Sequence, residues 1–75
     1  MLEIDVHGLT KVEARQRIDQ ALKNANKNII MIRIIHGYQS GTALRQMIRS
    51  RYRKHPRVKR IELSMNPGIT DLILN

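Results

Sequence analysis

Ile4-Asp5-Val6-His7-Gly8-Leu9-Thr10 and Ile34-Ile35-His36-Gly37 carry one design twice: an apolar strand ends on a His-Gly pair, and a short loop leads into a helix. In the first copy Leu2, Ile4 and Val6 alternate with Glu3, Asp5 and His7, the period of two expected of a strand with one apolar face. Gly8 stops that strand. Thr10 then opens a Thr-x-x-Glu capping box with Glu13, and Ala14, Ile18, Ala21, Leu22 and Ala25 repeat at helical spacing, which predicts a helix over about 11–26. Asn24, Asn26 and Asn28 mark its end, and the β-branched run 29–35 reads as a largely buried second strand.

Beyond the second His-Gly pair, Ser40, Gly41 and Thr42 supply helix-starting chemistry, and Leu44, Met47, Ile48 and Tyr52 form the apolar stripe of a second helix that Pro56 ends. A third strand is predicted over 58–63, a turn at Asn66-Pro67-Gly68, and a fourth strand over 70–74 antiparallel to the third. The order βαβαββ is an α/β fold. With 75 residues it is read as one domain, 1–75, since a chain this short buries only about 60% of its unfolded surface and cannot divide into two cores. Two right-handed crossovers advancing in one direction place both helices on one face of the sheet. The other face is then open, and alternation assigns to it Glu3, Asp5, His7, Arg33, Arg60 and Asp71, together with Ile29, Met31, Ile35 and Ile73.

Composition narrows the chemistry. The chain has no cysteine, so neither a disulfide framework nor a thiolate metal site is available, and it has no Phe or Trp, so the core must be aliphatic. No apolar run approaches the roughly 20 residues of a membrane span, and the N-terminus lacks the pattern of a signal peptide, so a cytoplasmic location is expected. Zinc-ligand spacing, a Walker loop, a dinucleotide fingerprint and an exposed serine-nucleophile motif are all missing from the sequence, which disfavours conventional cofactor enzymes. The net charge is +8, and eleven of the fourteen Lys and Arg lie between Asp19 and Glu62, a stretch with no acid. A segregated basic field of this kind attracts polyanions, which points to nucleic acid or the ribosome. Anionic membrane fits less well, because the basic segment lacks the Trp, Phe and Leu face of an interfacial helix.

The two His-Gly pairs sit at the carboxyl ends of strands. If those strands are parallel neighbours, their ends converge where open α/β sheets bind ligands, and the helix starts that follow offer N–H groups to phosphate. Asp5 and His7, two apart on one strand, lie on one face with about 7 Å between Cα atoms. In phosphodiester cleavage His7 can take a proton while Asp5 orients it, or Asp5 can hold a divalent cation. The plain alternative is a pair that merely finishes a strand. His36 is either a further acid or phosphate contact, or a cap on its own turn. Arg45, Arg49 and Arg53 follow at i, i+4 and i+8 and share one helical face, which Lys54 extends; this ridge either binds phosphates or is a solvated surface. Tyr38 offers a stacking platform for an unpaired base.

Taken together, these residues resemble the Smr (small MutS-related) domain family across essentially the whole chain. Ile4-Asp5-Val6-His7-Gly8 is similar to its opening Leu-Asp-x-His-Gly motif, Ile34-Ile35-His36-Gly37 followed by Ser40-Gly41-Thr42-Ala43-Leu44-Arg45 to its glycine-rich second motif, and Asn66, Gly68 and Thr70 to its closing Asn-x-Gly-x-Thr. The resemblance implies a two-layer βαβαββ sandwich with strand order 1-2-4-3, the last strand antiparallel. It further implies nucleic-acid binding, and in some members DNA nicking or RNA cleavage, including messenger on stalled ribosomes. Asp5 and His7 match the motif tied to cleavage, and Gly37 and Gly41 the loop that contacts nucleic acid. The resulting expectation is an endonuclease using Asp5, His7 and His36, with Gly8, Gly37, Tyr38, Gly41, Thr42, Arg45, Arg49, Arg53 and Lys54 gripping nucleic acid, RNA or DNA. Two other readings use the same residues: a non-catalytic nucleic-acid or ribosome adaptor, and a protein-interaction module on the open sheet face.

Overall fold

Alternating and helical periodicities give way in order along the chain. The computed structural model describes residues 1–38 and 42–75, with β1 (Leu2–Asp5), α1 (Lys11–Asn24), β2 (Met31–Ile35), α2 (Ala43–Tyr52), β3 (Val58–Leu63) and β4 (Ile69–Leu74). Gln39, Ser40 and Gly41 lie outside the described residues, and with them the second-loop glycine expected to contact nucleic acid. The strands form one sheet in the order β1-β2-β4-β3, with β2 parallel to β1, and β4 antiparallel to both β2 and β3.

Both helices pack on one face of this sheet. Ile4, Val6, Ile32, Ile34, Leu72 and Leu74 from the sheet side meet Ala14, Ile18 and Leu22 of α1 and Ile48 and Tyr52 of α2. Tyr52 is the one aromatic residue in that core, and it is fully buried only because its hydroxyl finds partners: it donates to Asp19 Oδ1 at 2.7 Å and approaches the Arg15 carbonyl at 3.3 Å. Burial, reinforced by the Asp19 carboxylate, pushes the phenol well above its ordinary pKa.

Helix α1 begins on a complete capping box. Thr10 Oγ1 accepts from the Glu13 N–H at 3.1 Å while the Glu13 carboxylate accepts from the Thr10 N–H at 2.9 Å, and these bonds hold the Glu13 pKa below its ordinary value. The helix ends two residues short of the predicted boundary, at Asn24, because Asn26 turns the chain: its side chain accepts from the Asn28 N–H at 2.8 Å and its carbonyl from the Ile29 N–H at 3.1 Å. That turn also corrects the place expected of Ile29. Strand alternation starts only at Met31, and Ile29 packs against the core instead of standing on the open face. Leu2, on the apolar register of edge strand β1, remains 36% exposed.

On the open face one row of charges crosses the sheet, with Glu3 opposite Arg33, Arg33 opposite Asp71, and Asp71 opposite Glu62. Arg33 grips Asp71 with two bonds, Nε to Oδ1 at 2.9 Å and Nη2 to Oδ2 at 3.1 Å, and so covers a carboxylate that is nearly inaccessible on an otherwise open surface.

Candidate nucleic-acid interface

The parallel pairing of β1 with β2 brings the two His-Gly turns side by side. Both glycines adopt left-handed backbone, Gly8 at φ 77° and Gly37 at φ 75°, a conformation that costs other L-residues about 1–2 kcal/mol. Gly37 lies against both His7 and Gly68: a Cβ placed on Gly37 would lie 3.5 Å from the His7 Cβ, and one on Gly68 would lie 3.2 Å from the Gly37 Cα. The Asn66-Pro67-Gly68 turn is docked there by its backbone, since the Gly68 carbonyl accepts from the N–H groups of His36 at 2.9 Å and Gly37 at 3.1 Å.

These turns line a cleft of about 320 Å³ whose walls include Gly8, Thr10 and Lys11 at the start of α1, and Ala43 and Leu44 at the start of α2. Two helix N-termini therefore face one space, an arrangement that favours an anion. Thr42 is the N-cap of α2 but makes no side-chain cap, and it is exposed, so its hydroxyl leaves the first N–H groups of α2 unoccupied. Tyr38 is 51% exposed.

Asp5 and His7 are joined in the geometry of a proton-transfer pair. His7 Nδ1 donates to Asp5 Oδ1 at 2.5 Å, and the same oxygen accepts from the His7 backbone N–H at 3.1 Å. Both side chains remain more than half exposed. The His7 bonds, side chain first, hold the Asp5 carboxyl below its usual pKa. With Nδ1 committed to the carboxylate, Nε2 is the nitrogen left to take a proton. No group of three or more His, Cys, Asp or Glu side chains capable of holding a metal comes together among the described residues.

His36 occupies a different position. It forms part of the cleft floor at 2% exposure, with Nδ1 bonded to the Gly37 carbonyl at 2.8 Å and Nε2 to Thr70 Oγ1 at 2.9 Å. Burial lowers its pKa against the opposing pull of the Gly37 carbonyl, and the charges of Arg49 and Arg45 lower it further. Its ring ties β2 to β4 beneath the exposed pair.

The helical ridge forms an open groove of about 400 Å³ along α2, lined by Arg45, Arg49, Arg53 and Lys54 with Gln46 and Ser50 between them. Partial burial, with Arg45 and Arg53 as neighbours, lowers the pKa of the Arg49 guanidinium. Other members of the basic segment are turned to structural use. Arg51 meets Asp19 at 3.3 Å, Arg60 meets Glu62 at 2.8 Å, and Arg57 donates to the Leu22 and Ala25 carbonyls at 2.7 and 3.0 Å, capping the end of α1. Composition and spacing do not mark Thr70 as a site residue; its place in the Asn-x-Gly-x-Thr motif is the signal the sequence carries for it.

Comparison with known proteins matches this arrangement. The Smr domain family model matches residues 4–67. Over 58 residues, 76% of this chain, the sequence is 43% identical to Endonuclease MutS2 of Thermus thermophilus, and the match takes in 8% of that protein's length. The crystal structure of the Smr domain of Thermus thermophilus MutS2 superposes with a TM-score of 0.90 at 34% identity, covering 100% of this chain and 99% of that one.

Proposed function

Because the chain belongs to the Smr domain family, we propose that it binds nucleic acid along α2 and cuts a phosphodiester bond with Asp5 and His7. The observation that carries this reading is the 2.5 Å bond between His7 Nδ1 and Asp5 Oδ1, made in the open beside a cleft that two helix N-termini face. Asp5 fixes the imidazole with its proton on Nδ1. His7 Nε2 then removes the proton from the attacking oxygen, either a water or a ribose 2′-hydroxyl, as that oxygen bonds to phosphorus. The bond to the leaving oxygen breaks, and this oxygen recovers a proton from the imidazolium or from solvent. Backbone N–H groups of the cleft and the α2 cations offset the charge on the phosphoryl oxygens.

Binding without cleavage, as an adaptor on nucleic acid or the ribosome, is favoured by one feature. His36 is turned into the core with both ring nitrogens bonded, so the exposed pair is not joined by a second imidazole that can act on a leaving group.

The two readings separate when wild type, Asp5→Asn and His7→Ala are each given labelled single-stranded RNA and branched DNA, with and without a chelator. Cleavage by wild type only, with binding retained in both variants, is the expected outcome, with a loss of about 10²–10⁴-fold for a removed general base. Equal binding with no cutting by any of the three would leave the adaptor. Inhibition by the chelator would assign Asp5 a cation as well.

A further inference from the structure

We propose that Thr70, with His36 behind it, is a positioning residue that aims Arg49 as a phosphate clamp and ties the α2 groove to the turn beside His7. The proposal rests on the nucleic-acid reading above. Arg33, Arg51 and Arg60 each meet a carboxylate, and Arg57 caps helix carbonyls. Arg49, half-buried, instead sends its Nε–H to a neutral hydroxyl, Thr70 Oγ1, at 3.0 Å. A guanidinium drawn toward the core without a carboxylate keeps its charge uncompensated, a costly arrangement that an incoming anion relieves.

The direction of every proton in this chain of bonds follows from its ends. The Gly37 carbonyl only accepts, so His36 Nδ1 carries the hydrogen of their 2.8 Å bond. In the neutral ring Nε2 is then an acceptor, and the Thr70 hydroxyl must donate to it across 2.9 Å. That leaves the lone pairs of Thr70 Oγ1 turned to the Nε–H of Arg49. Thr70 is wholly buried on the helix side of β4, opposite Ile34, where a valine would pack equally well, so its hydroxyl is present for these bonds and not for filling space. Among the described residues Arg49 is bound through Nε, which leaves Nη1 and Nη2 toward the groove, where a fork of donors grips two phosphate oxygens. At the other end of the relay, Gly37 lies against His7. One rigid chain thus sets the distance between the place where phosphate is held and the place where the bond is cut.

The test is a double-mutant cycle read as the Kd for labelled single-stranded RNA and for branched DNA, at one fixed salt concentration. Arg49→Ala is expected to weaken binding about tenfold, as the loss of one charge-assisted contact. Thr70→Val should weaken it by three- to tenfold on the same scale, Thr70→Ser should restore it, and Thr70→Val should add nothing in the Arg49→Ala background. Full additivity, or a Thr70→Val protein that binds like wild type while Arg49→Ala does not, overturns the positioning role and leaves the groove standing. An Arg49→Ala protein that binds like wild type overturns both, since no clamp exists to be aimed. Should Thr70→Val fail to fold, the wild-type protein still decides: the Arg49 Nε–H must exchange with water markedly more slowly than that of Arg53 by NMR, and equal rates would sink the proposal.

Discussion

A histidine's surroundings decide its task, and the chain's two His-Gly pairs divide the work. His7 stands in solvent with one nitrogen committed to Asp5, the arrangement of a base, whereas His36 is enclosed and neutral. The enclosed ring has a consequence for stability. Its pKa is lower in the folded protein than the ordinary value near 6.5, so below about that pH the unfolded chain binds the proton first and folding loses free energy until the folded pKa is passed. Stability from this group is therefore complete above about pH 6.5 and falls on the acid side. Thermal midpoints measured between about pH 8 and pH 5 should drop in wild type more steeply than in His36→Gln. Parallel curves for the two proteins would assign the acid loss to other groups.

Among the elements, α1 is fixed at both ends by different means. Its start is local, a reciprocal Thr10–Glu13 box written in consecutive residues, while its end is held by Arg57 from the loop before β3. Removing Arg57 leaves the Leu22 and Ala25 carbonyls to water. Arg57→Ala is expected to cost about 1–2 kcal/mol, which for a domain of this size is a fall in Tm of about 4–16 °C, with nucleic-acid affinity nearly unchanged. A large loss of affinity with an unaltered Tm would instead place Arg57 among the phosphate contacts. The helix α2 has the opposite balance. Its N-cap residue Thr42 makes no side-chain capping bond, and its exposed ridge is free of carboxylates, features that cost helix stability and suit the anionic ligand proposed for it.

Across the whole molecule each acid is placed away from the groove. Asp71 and Glu62 pair with Arg33 and Arg60 on the open sheet face, where Glu3 stands opposite Arg33; Asp5 holds His7, Glu13 caps α1, and Asp19 serves Tyr52 and Arg51. Four cations, Arg45, Arg49, Arg53 and Lys54, thereby line the α2 groove with no carboxylate among them. For single strands log K falls by about 0.7 per phosphate contact as log salt rises, so four cations on phosphate give a slope of about −3. Arg45→Ala should reduce that slope by about 0.7 and weaken all sequences alike. A flat salt response would remove the groove from the binding surface and favour a protein partner on the open sheet face.

The order βαβαββ, the capping box, the two His-Gly turns and the segregated charge were all legible in the chain, because each depends on residues within one helical turn or one strand pleat of each other. The family motifs supplied strand order, which periodicity alone does not contain. Ile29 leaves the open face because the four-residue turn from Asn26 to Ile29 rotates it before alternation begins. Tertiary structure alone decided which arginines are occupied. Apart from Arg60, whose partner Glu62 stands two residues on in the same strand, their partners lie 21 to 38 residues away in the chain, as Thr70 is from Arg49 and Asp71 from Arg33, and no local pattern encodes a hydrogen bond that forms only when distant segments meet. For the same reason His36, which matches His7 in its local sequence, became a buried link: the side chain that claims it, Thr70, arrives with the last strand of the sheet.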